Sequence, residues 1–420
     1  MMFREINRES SLQAGKIVFM LLLCSSLLVH VKLFCIGYGV YNFLLPLCAL
    51  ILLALNLGQC KETFSYHRQA LFFLSLFYLW MWVSAFFSDF QGIALKYSIK
   101  YSIHFIVLVS FLILTYKKRD PFSYYRWILR FLLLLAVFGV IENLFHDLWI
   151  FSLLRSPHSL DVYPRISSLM QWPNQFGVLM VIGILLGLIL YKERSISAFE
   201  FYLGLFLFTI VIALAASRNS WLLLPAGIFL AWLYKMITLR KGFFILGFFV
   251  FCVLFFPVST HQLGIRGSKV VPLEKHLREL TLMLEKLKSP TFLTPRETST
   301  SRLVLWKAAM CEISKRPITG LGIEVFEKII GKGIRREEGY HTHNLFLNIL
   351  VELGISGLLL FLVFIYSLLK RADLYRPIIV IPLLMIFAVQ MVDFFIHDFT
   401  FTTIGLYFLA EAGNSRHEGN

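Results

Sequence analysis

Long apolar runs, separated by short polar segments, repeat along most of the chain. A membrane-spanning helix needs roughly 20 mostly apolar residues, and runs of this kind predict about twelve spans. The junction between the last two runs holds Asp393, His397 and Asp398, which predicts either a hairpin or a re-entrant pair there. The runs lie near 15–35, 39–58, 70–88, 100–116, 127–146, 172–191, 200–216, 219–237, 242–258, 344–369, 376–395 and 398–412.

One polar segment, residues 259–342, is much longer than the others, and a loop of this length is expected to have structure of its own. A first amphipathic stretch follows Pro272, with leucines at 273, 277, 280, 284 and 287. A second begins after Thr300-Ser301, which are suitable N-caps, and runs to about Arg316, before Pro317. The predicted organisation is therefore helices 1–9 in residues 1–258, a partly helical outer loop in 259–342, and helices 10–12 with a short tail in 343–420.

The composition agrees with an all-α integral membrane protein. Of the 420 residues, 58% are hydrophobic and only 15% are charged, against roughly 25% charged residues in an average soluble domain. A soluble fold of this size cannot bury so much apolar surface. An ordinary soluble enzyme, a disordered protein and a secreted disulfide scaffold are thereby excluded.

The basic residues predict the orientation of the helices. Lys and Arg cluster in the even-numbered connections, and the odd-numbered short ones hold far fewer. By the positive-inside rule, both termini are expected in the cytoplasm. The long segment 259–342 then lies outside, although it carries 15 Lys and Arg against 9 Asp and Glu. The cytoplasmic clusters are Lys61 and Arg68, Lys117 to Arg119, Lys192 and Arg194, Arg240 and Lys241, and Lys370 and Arg371.

Two arginines on the outer side are candidates for binding an anion. Arg218 lies in the turn Ser217-Arg218-Asn219-Ser220 between two apolar runs. It either extends to the lipid headgroups or faces a cavity as an anion clamp. Arg302 lies four residues before Trp306 and shares a helix face with it. It either stacks on the indole or offers its planar guanidinium to a phosphate.

The segment Tyr340-His341-Thr342-His343-Asn344 is the third candidate, because it leads into the tenth apolar run. His343 lies where a helix would begin, and the positive end of a helix favours the neutral imidazole that a general base requires. Two interfacial histidines are one alternative. Another is a metal site, in which His341 and His343 are joined by Glu337, Glu338, His397 or Asp398. No HxxxH or HExxH spacing accompanies the pair, so neither a metal nor another cofactor is expected.

A basic outer cavity with a neutral histidine and two arginines suits an anionic substrate beside the membrane. Sugars linked to a polyprenyl diphosphate have this chemistry. Membrane lipids are the other expected contact, and no nucleic-acid partner is expected.

The motifs of this chain resemble those of the O-antigen ligase and O-antigen polymerase superfamily of bacterial envelope enzymes. His343-Asn344 is followed by nine residues, Gly354, two residues and Gly357, which is similar to the family's closing motif. The segment TSRLVLWKAAMCEISKRPITGLGIEVF resembles the loop before that motif, with an Arg, a Trp and then Pro…Gly-x-Gly. Pro173-Asn174 and Ser217-Arg218 resemble further landmarks. The resemblance covers roughly residues 170–370.

The resemblance implies a glycosyltransferase of GT-C-like architecture in the bacterial inner membrane, with its active site on the periplasmic side. It implies transfer of O-antigen from undecaprenyl diphosphate to lipid A–core, with inversion and without a metal or a nucleotide sugar. His343 would be the catalytic base, and Arg218 and Arg302 would hold the diphosphate. The other residues expected at the substrate are Asn174, His341, Asn344 and Asp393, the last as a carboxylate that orients the site.

Three alternatives remain open. A polymerase would join repeat units on the same carrier. A protein O-oligosaccharyltransferase would use the same donor, although such members often carry a further C-terminal region, and this sequence ends just after its last predicted span. A transporter of lipid-linked sugars is expected to show inverted repeats and broken helices near the midplane. Here the polar candidates gather at one surface instead.

Overall fold

The computed structural model describes residues 2–28, 41–116, 122–145, 166–170, 172–262, 302–334, 341–370, 372–373, 375–393 and 398–415. Within these ranges every regular element is an α-helix. The fourteen helices are α1 (Met2–Ser25), α2 (Tyr41–Leu55), α3 (Leu57–Phe86), α4 (Gln91–Thr115), α5 (Ser123–Leu144), α6 (Pro173–Lys192), α7 (Ala198–Ala215), α8 (Arg218–Leu233), α9 (Leu239–Gln262), α10 (Arg302–Lys315), α11 (Val325–Ile334), α12 (Leu345–Leu369), α13 (Pro377–Gln390) and α14 (Phe399–Asn414).

A helix is present at each of the twelve predicted spans. Among the described residues, six helices are long and apolar enough to cross a membrane, namely α3, α4, α5, α6, α7 and α12. Three shorter apolar helices accompany them, at Gln13–Ser25, Asn42–Leu55 and Pro377–Gln390. This arrangement agrees with a multi-pass membrane protein. The number of twelve crossings and the orientation stay predictions.

Three helices begin well before the apolar runs that predicted them, and the first is α1, which begins at Met2 rather than near 15. Helix α3 begins at Leu57 rather than near 70, and α4 begins at Gln91 rather than near 100. The first turns of α3 carry Lys61, Glu62 and Arg68. The backbone hydrogen bonds of a helix form with polar and apolar side chains alike. Hydropathy therefore predicts the part of a helix that lies within the lipid, and not the full length of that helix.

Helix α6 lies at the centre of the bundle. Every residue from Gln175 to Leu190 is buried, as expected of a helix that is apolar on all sides. It packs against α5, α7, α8 and α13. Because α6 begins at Pro173, this central position places Asn174 at the outer end of the main core.

A second, smaller core joins the outer region to the membrane helices. It contains Ala309 of α10 and Val325 and Phe326 of α11, together with residues of α3, α4 and α12. Arg316 strengthens this attachment, since its guanidinium donates to the Phe87 carbonyl at 2.6 Å and to Asp89 Oδ1 at 2.5 Å. Helix α10 lies within the second stretch predicted for the loop. The stretch predicted after Pro272 lies outside the described residues, and α11 was not predicted.

Helix α12 is broken at Gly354, whose φ of 67° and ψ of −174° are not helical. Glycine adopts a positive φ without the steric cost that a Cβ brings. A Cβ at this position would lie 2.1 Å from the Ile318 carbonyl oxygen, because residues 317–322 pass against the break. The next residue, Ile355, donates its N–H to the Pro317 carbonyl at 2.8 Å. Gly354, the first glycine of the closing motif, is therefore required by its positive φ and by the close approach of the Ile318 carbonyl.

The backbone carbonyls just before the break have partners outside the helix. Buried carbonyls need such partners, because leaving one unpaired costs as much as a lost hydrogen bond. The loop of residues 317–322 is therefore fixed to α12 about ten residues after His343. The bonds run from Leu321 N to Val351 O (3.1 Å), from Gly322 N to Glu352 O (2.8 Å) and from Trp80 Nε1 to Leu353 O (2.9 Å).

Substitution of Gly354 by alanine is expected to lower the stability by more than about 2 kcal/mol, because both the positive φ and the Ile318 carbonyl oppose a Cβ. Thermal unfolding of the purified protein, followed by tryptophan fluorescence, measures the effect. Gly247→Ala is the matched control, since a Cβ there meets nothing within 4 Å. It should leave the unfolding temperature unchanged or slightly higher. Equal temperatures for the two variants would contradict the role given to Gly354.

Candidate active site

His343 and Asp393 form a close pair at one end of the helix bundle. His343 Nδ1 lies 2.7 Å from Asp393 Oδ1. The histidine side chain is 37% exposed and the aspartate side chain only 7%. His343 also has a φ of 52°, in the left-handed region that costs a residue with a Cβ roughly 1–2 kcal/mol. A strained, partly exposed histidine on a buried carboxylate is a common arrangement at functional sites.

Two amide side chains hold the other oxygen of Asp393. Asn219 Nδ2 donates to Oδ2 at 3.0 Å, and Asn174 Nδ2 lies 3.3 Å from the same atom. Donors to a carboxylate favour its ionised form and compensate for burial. Asp393 therefore joins the start of α6, the start of α8 and the segment before α12.

This arrangement fixes the proton positions on the imidazole. An ionised Asp393 accepts at Oδ1, so His343 Nδ1 must carry the hydrogen and donate it. The lone pair then lies on Nε2, which makes no hydrogen bond within the described part of the chain. His343 is thus set as an acceptor of a proton from an external hydroxyl group.

Asn344 supports this geometry from the next position. Its Oδ1 accepts from Leu347 N at 3.0 Å and caps α12, and its Nδ2 donates to the Met391 carbonyl at 2.9 Å. The contact of Nδ2 therefore connects the segments that carry His343 and Asp393. The substrate contact expected for Asn344 stays a prediction beside these two contacts.

Three helices begin at this site, namely α6, α8 and α12. Each N-terminus contributes a residue to the cluster: Asn174, Asn219 and the His343-Asn344 pair. Helix N-termini carry a partial positive charge and free N–H groups, which favour bound anions. The site is therefore electropositive even before the arginines are considered.

The two predicted arginines lie at the border of the cluster. Arg218 is exposed at the first position of α8, directly before Asn219. Arg302 is exposed at the first position of α10, one turn before Trp306. Trp306 Nε1 donates to the Thr342 carbonyl at 2.7 Å, so α10 is attached to the segment that carries His343. In the described part of the chain, neither guanidinium forms a hydrogen bond or an ion pair with His343 or Asp393.

His341 belongs to a different group of side chains from His343. Its Nε2 lies 3.5 Å from Glu327 Oε2, and Glu324 lies beside both residues. Burial raises the pKa of Glu327, His341 lowers it and Glu324 raises it, and together these effects raise the pKa to about 6. The structure thus separates the two histidines that the metal alternative had joined.

The other residues of that alternative do not join the two histidines either. Asp398 is buried and caps α14, with its Oδ1 accepting from Phe401 N at 2.8 Å. Glu337, Glu338 and His397 lie outside the described residues.

Asn219 is the functional residue that the sequence motifs missed. Asn219 lies in the turn Ser217-Arg218-Asn219-Ser220, but the motifs predicted a role there for Arg218 alone. An asparagine at the second position of a helix usually indicates local capping, which Ser217 already provides by accepting from Ser220 N. Its contact with Asp393, 174 residues away, depends on the packing of α8 against α13.

A comparison with known families supports the assignment suggested by the motifs. The sequence model described as O-antigen ligase matches residues 203–362, less than half of the chain. The matched region contains Arg218, Asn219, Arg302 and His343. A search of curated proteins finds no match. Residues 203–362 of this chain are thus similar to the O-antigen ligase family.

Proposed function

We propose that the protein is an O-antigen ligase, which transfers O-antigen polysaccharide from undecaprenyl diphosphate to a sugar hydroxyl of lipid A–core. The observation that carries this proposal is the His343–Asp393 pair at the meeting point of three helix N-termini. A general base beside an anion site fits a donor whose leaving group is a diphosphate. The protein acts, in this proposal, at the periplasmic face of the bacterial inner membrane.

The proposed reaction is a single displacement with inversion at the anomeric carbon. The acceptor hydroxyl attacks that carbon while His343 Nε2 removes the hydroxyl proton. The new bond joins the carbon to the acceptor oxygen, and the bond to the diphosphate oxygen breaks. Undecaprenyl diphosphate leaves with the electron pair, and Asp393 stabilises the resulting imidazolium. A positioned base of this kind contributes roughly 10²–10⁴-fold to a rate.

The leaving group is expected to be held by the arginines and the helix ends. Arg218 and Arg302 both extend from first turns of helices attached to the site, and both are exposed and available to a ligand. Hydrogen bonds to charged groups contribute about 1.5–3 kcal/mol each. Two such contacts, together with the partial charges of α6 and α8, stabilise the charge that develops on the diphosphate. The transfer step itself requires neither a metal nor a nucleotide sugar.

A polymerase that joins repeat units on the same carrier is the second candidate, because the family match agrees with either activity. The acceptor distinguishes them. A ligase receives lipid A–core, whereas a polymerase receives another lipid-linked repeat unit. The His-Asn…Gly…Gly spacing resembles ligases and favours the first.

Lipopolysaccharide from a strain lacking this gene tests the proposal. For a ligase, core without O-antigen is expected, and polymer accumulates on the lipid carrier. Core that bears one repeat unit would instead indicate a polymerase. Normal lipopolysaccharide would overturn both proposals.

Complementation of the same strain tests the arginines. Arg218→Ala and Arg302→Ala are expected to fail, and lysine is expected to replace arginine poorly wherever two parallel hydrogen bonds reach one phosphate. Glu312→Gln is the control, because Glu312 forms an ion pair with its near neighbour Lys315 on the same helix, α10. Full complementation by both alanine variants would remove the arginines from the proposed site.

A further inference from the structure

A group of possible metal ligands lies beside the candidate active site but outside the transfer chemistry. Glu324, Glu327 and His341 each offer one ligand atom, and these atoms all lie within 4.8 Å of one another. Glu324 has a φ of 61°, so a strained backbone turns it towards this group. The Tyr101 hydroxyl donates to Glu324 Oε1 from α4. The group therefore joins two separate parts of the chain and is contacted by a third, α4.

A fourth side chain points to a missing positive partner. Glu352 of α12 is 3% exposed, and its carboxylate accepts from the backbone N–H of Glu324 and from the Asn348 side chain. Its Oε1 has no hydrogen-bond partner in the described part of the chain. Glu352 and Glu324 also line the same cavity, together with Asn348. A buried carboxylate oxygen without a partner is costly unless a proton or a cation satisfies it.

The charged side chains around this group favour the binding of a cation. Three carboxylates, of Glu324, Glu327 and Glu352, act on one another electrostatically. Lys100 and Lys328 act on them with the opposite sign. Like charges held this close in a partly buried site strongly disfavour full ionisation unless a ligand of opposite charge binds.

We propose that Glu324, Glu327 and His341 bind one divalent cation, with the buried carboxylate of Glu352 acting on the site electrostatically from α12. Carboxylate oxygens suit Mn²⁺ and the imidazole suits Zn²⁺, so this mixed set selects cations of that kind rather than a soft metal such as Cu⁺. His341 binds through Nε2, the atom that faces Glu327.

The proposed cation positions the catalytic segment and does not take part in the transfer. It joins α11 to His341, two residues before His343. The backbone at His343 is strained, with its φ of 52°, and needs such support from its surroundings. The proposal does not depend on the identity of the glycan or of the acceptor, because its measurement is metal binding.

Calorimetric titration of the chelator-treated, full-length protein in detergent with Mn²⁺ tests the site. We expect about one Mn²⁺ per chain. Glu327→Gln and His341→Gln are expected to weaken binding at least tenfold, since even outer-sphere partners of a metal contribute 10–100-fold. Glu312→Gln removes a carboxylate from neighbouring α10 and is expected to bind as the wild type does. Size-exclusion profiles establish that each variant is folded.

Pulsed electron paramagnetic resonance of the Mn²⁺-loaded wild type gives a second test that needs no variant. Coupling to one imidazole nitrogen is expected. Absence of Mn²⁺ binding above the detergent blank, absence of nitrogen coupling, or unchanged affinity in the two variants would each overturn the proposal. Loss of glycan transfer with intact Mn²⁺ binding would count against the proposed function and would still support the cation site.

Discussion

Replacement of His343 is expected to lower the rate of glycan transfer by about 10²–10⁴-fold, because the imidazole held by Asp393 is lost. His343→Asn is the preferred variant. Asparagine tolerates the positive φ of this position better than alanine does, and it cannot act as a base at neutral pH. Transfer is measured with purified protein, lipid-linked donor and lipid A–core acceptor.

His343→Ala serves as a comparison that separates strain from chemistry. If the base assignment is correct, both variants lose transfer, and the asparagine variant keeps the unfolding temperature of the wild type more closely. Glu312→Gln again provides the neutral control. Transfer by His343→Asn within a few-fold of the wild type would show that another group removes the proton.

Asp393→Asn is the second substitution with a large expected effect, although it preserves the shape of the side chain. Asn219 and Asn174 both donate to Oδ2, so an amide here would direct its oxygen towards them and its NH₂ towards His343. His343 Nδ1 would then have to accept, and the proton would move to Nε2. The imidazole would be held in the tautomer that cannot act as a base. In a serine-protease triad the same change costs about 10⁴-fold in kcat.

The measurement for Asp393 is the separation of kcat from KM. A positioning role predicts that kcat falls by at least 10²-fold, whereas KM and the unfolding temperature change little. A purely structural role predicts instead that the unfolding temperature falls and that kcat per folded molecule is kept. Unchanged kcat would exclude Asp393 from the orientation of His343.

Much of the site is visible in the sequence because its residues stand at the ends of apolar runs. His343-Asn344 precedes the tenth run, Asp393 follows the eleventh, and Pro173-Asn174 opens the sixth. Hydropathy alone places these ends at the same surface of a membrane. The family resemblance gave Asp393 the role of a carboxylate that orients the site, but its contact with His343 at 2.7 Å was not predicted.

The cluster around Glu324 could not be predicted, for a physical reason. Glu324 and His341 are brought together by a left-handed turn at Glu324 and by the packing of residues 317–322 on α12. Neither the turn nor the packing can be recognised from the local composition, since a glutamate rarely adopts a positive φ. Helix α11 is likewise only ten residues long and depends on its contacts.

The break in α12 was missed because the apolar run 344–369 is continuous. Hydrophobic side chains occur on both sides of Gly354, and a glycine inside an apolar helix is often tolerated. Only the position of residues 317–322 shows that the helix must open there.

The hydrogen bonds at this break also limit how the site can admit a large glycan. Residues 317–322 hold both sides of the break, through Leu321, Gly322 and the Pro317 carbonyl. Separating three such bonds costs about 3 kcal/mol at roughly 1 kcal/mol each. Since 1.4 kcal/mol corresponds to a factor of ten, the detached state has a population of only about 1%. Substrate entry is therefore expected to use a route that leaves this attachment closed.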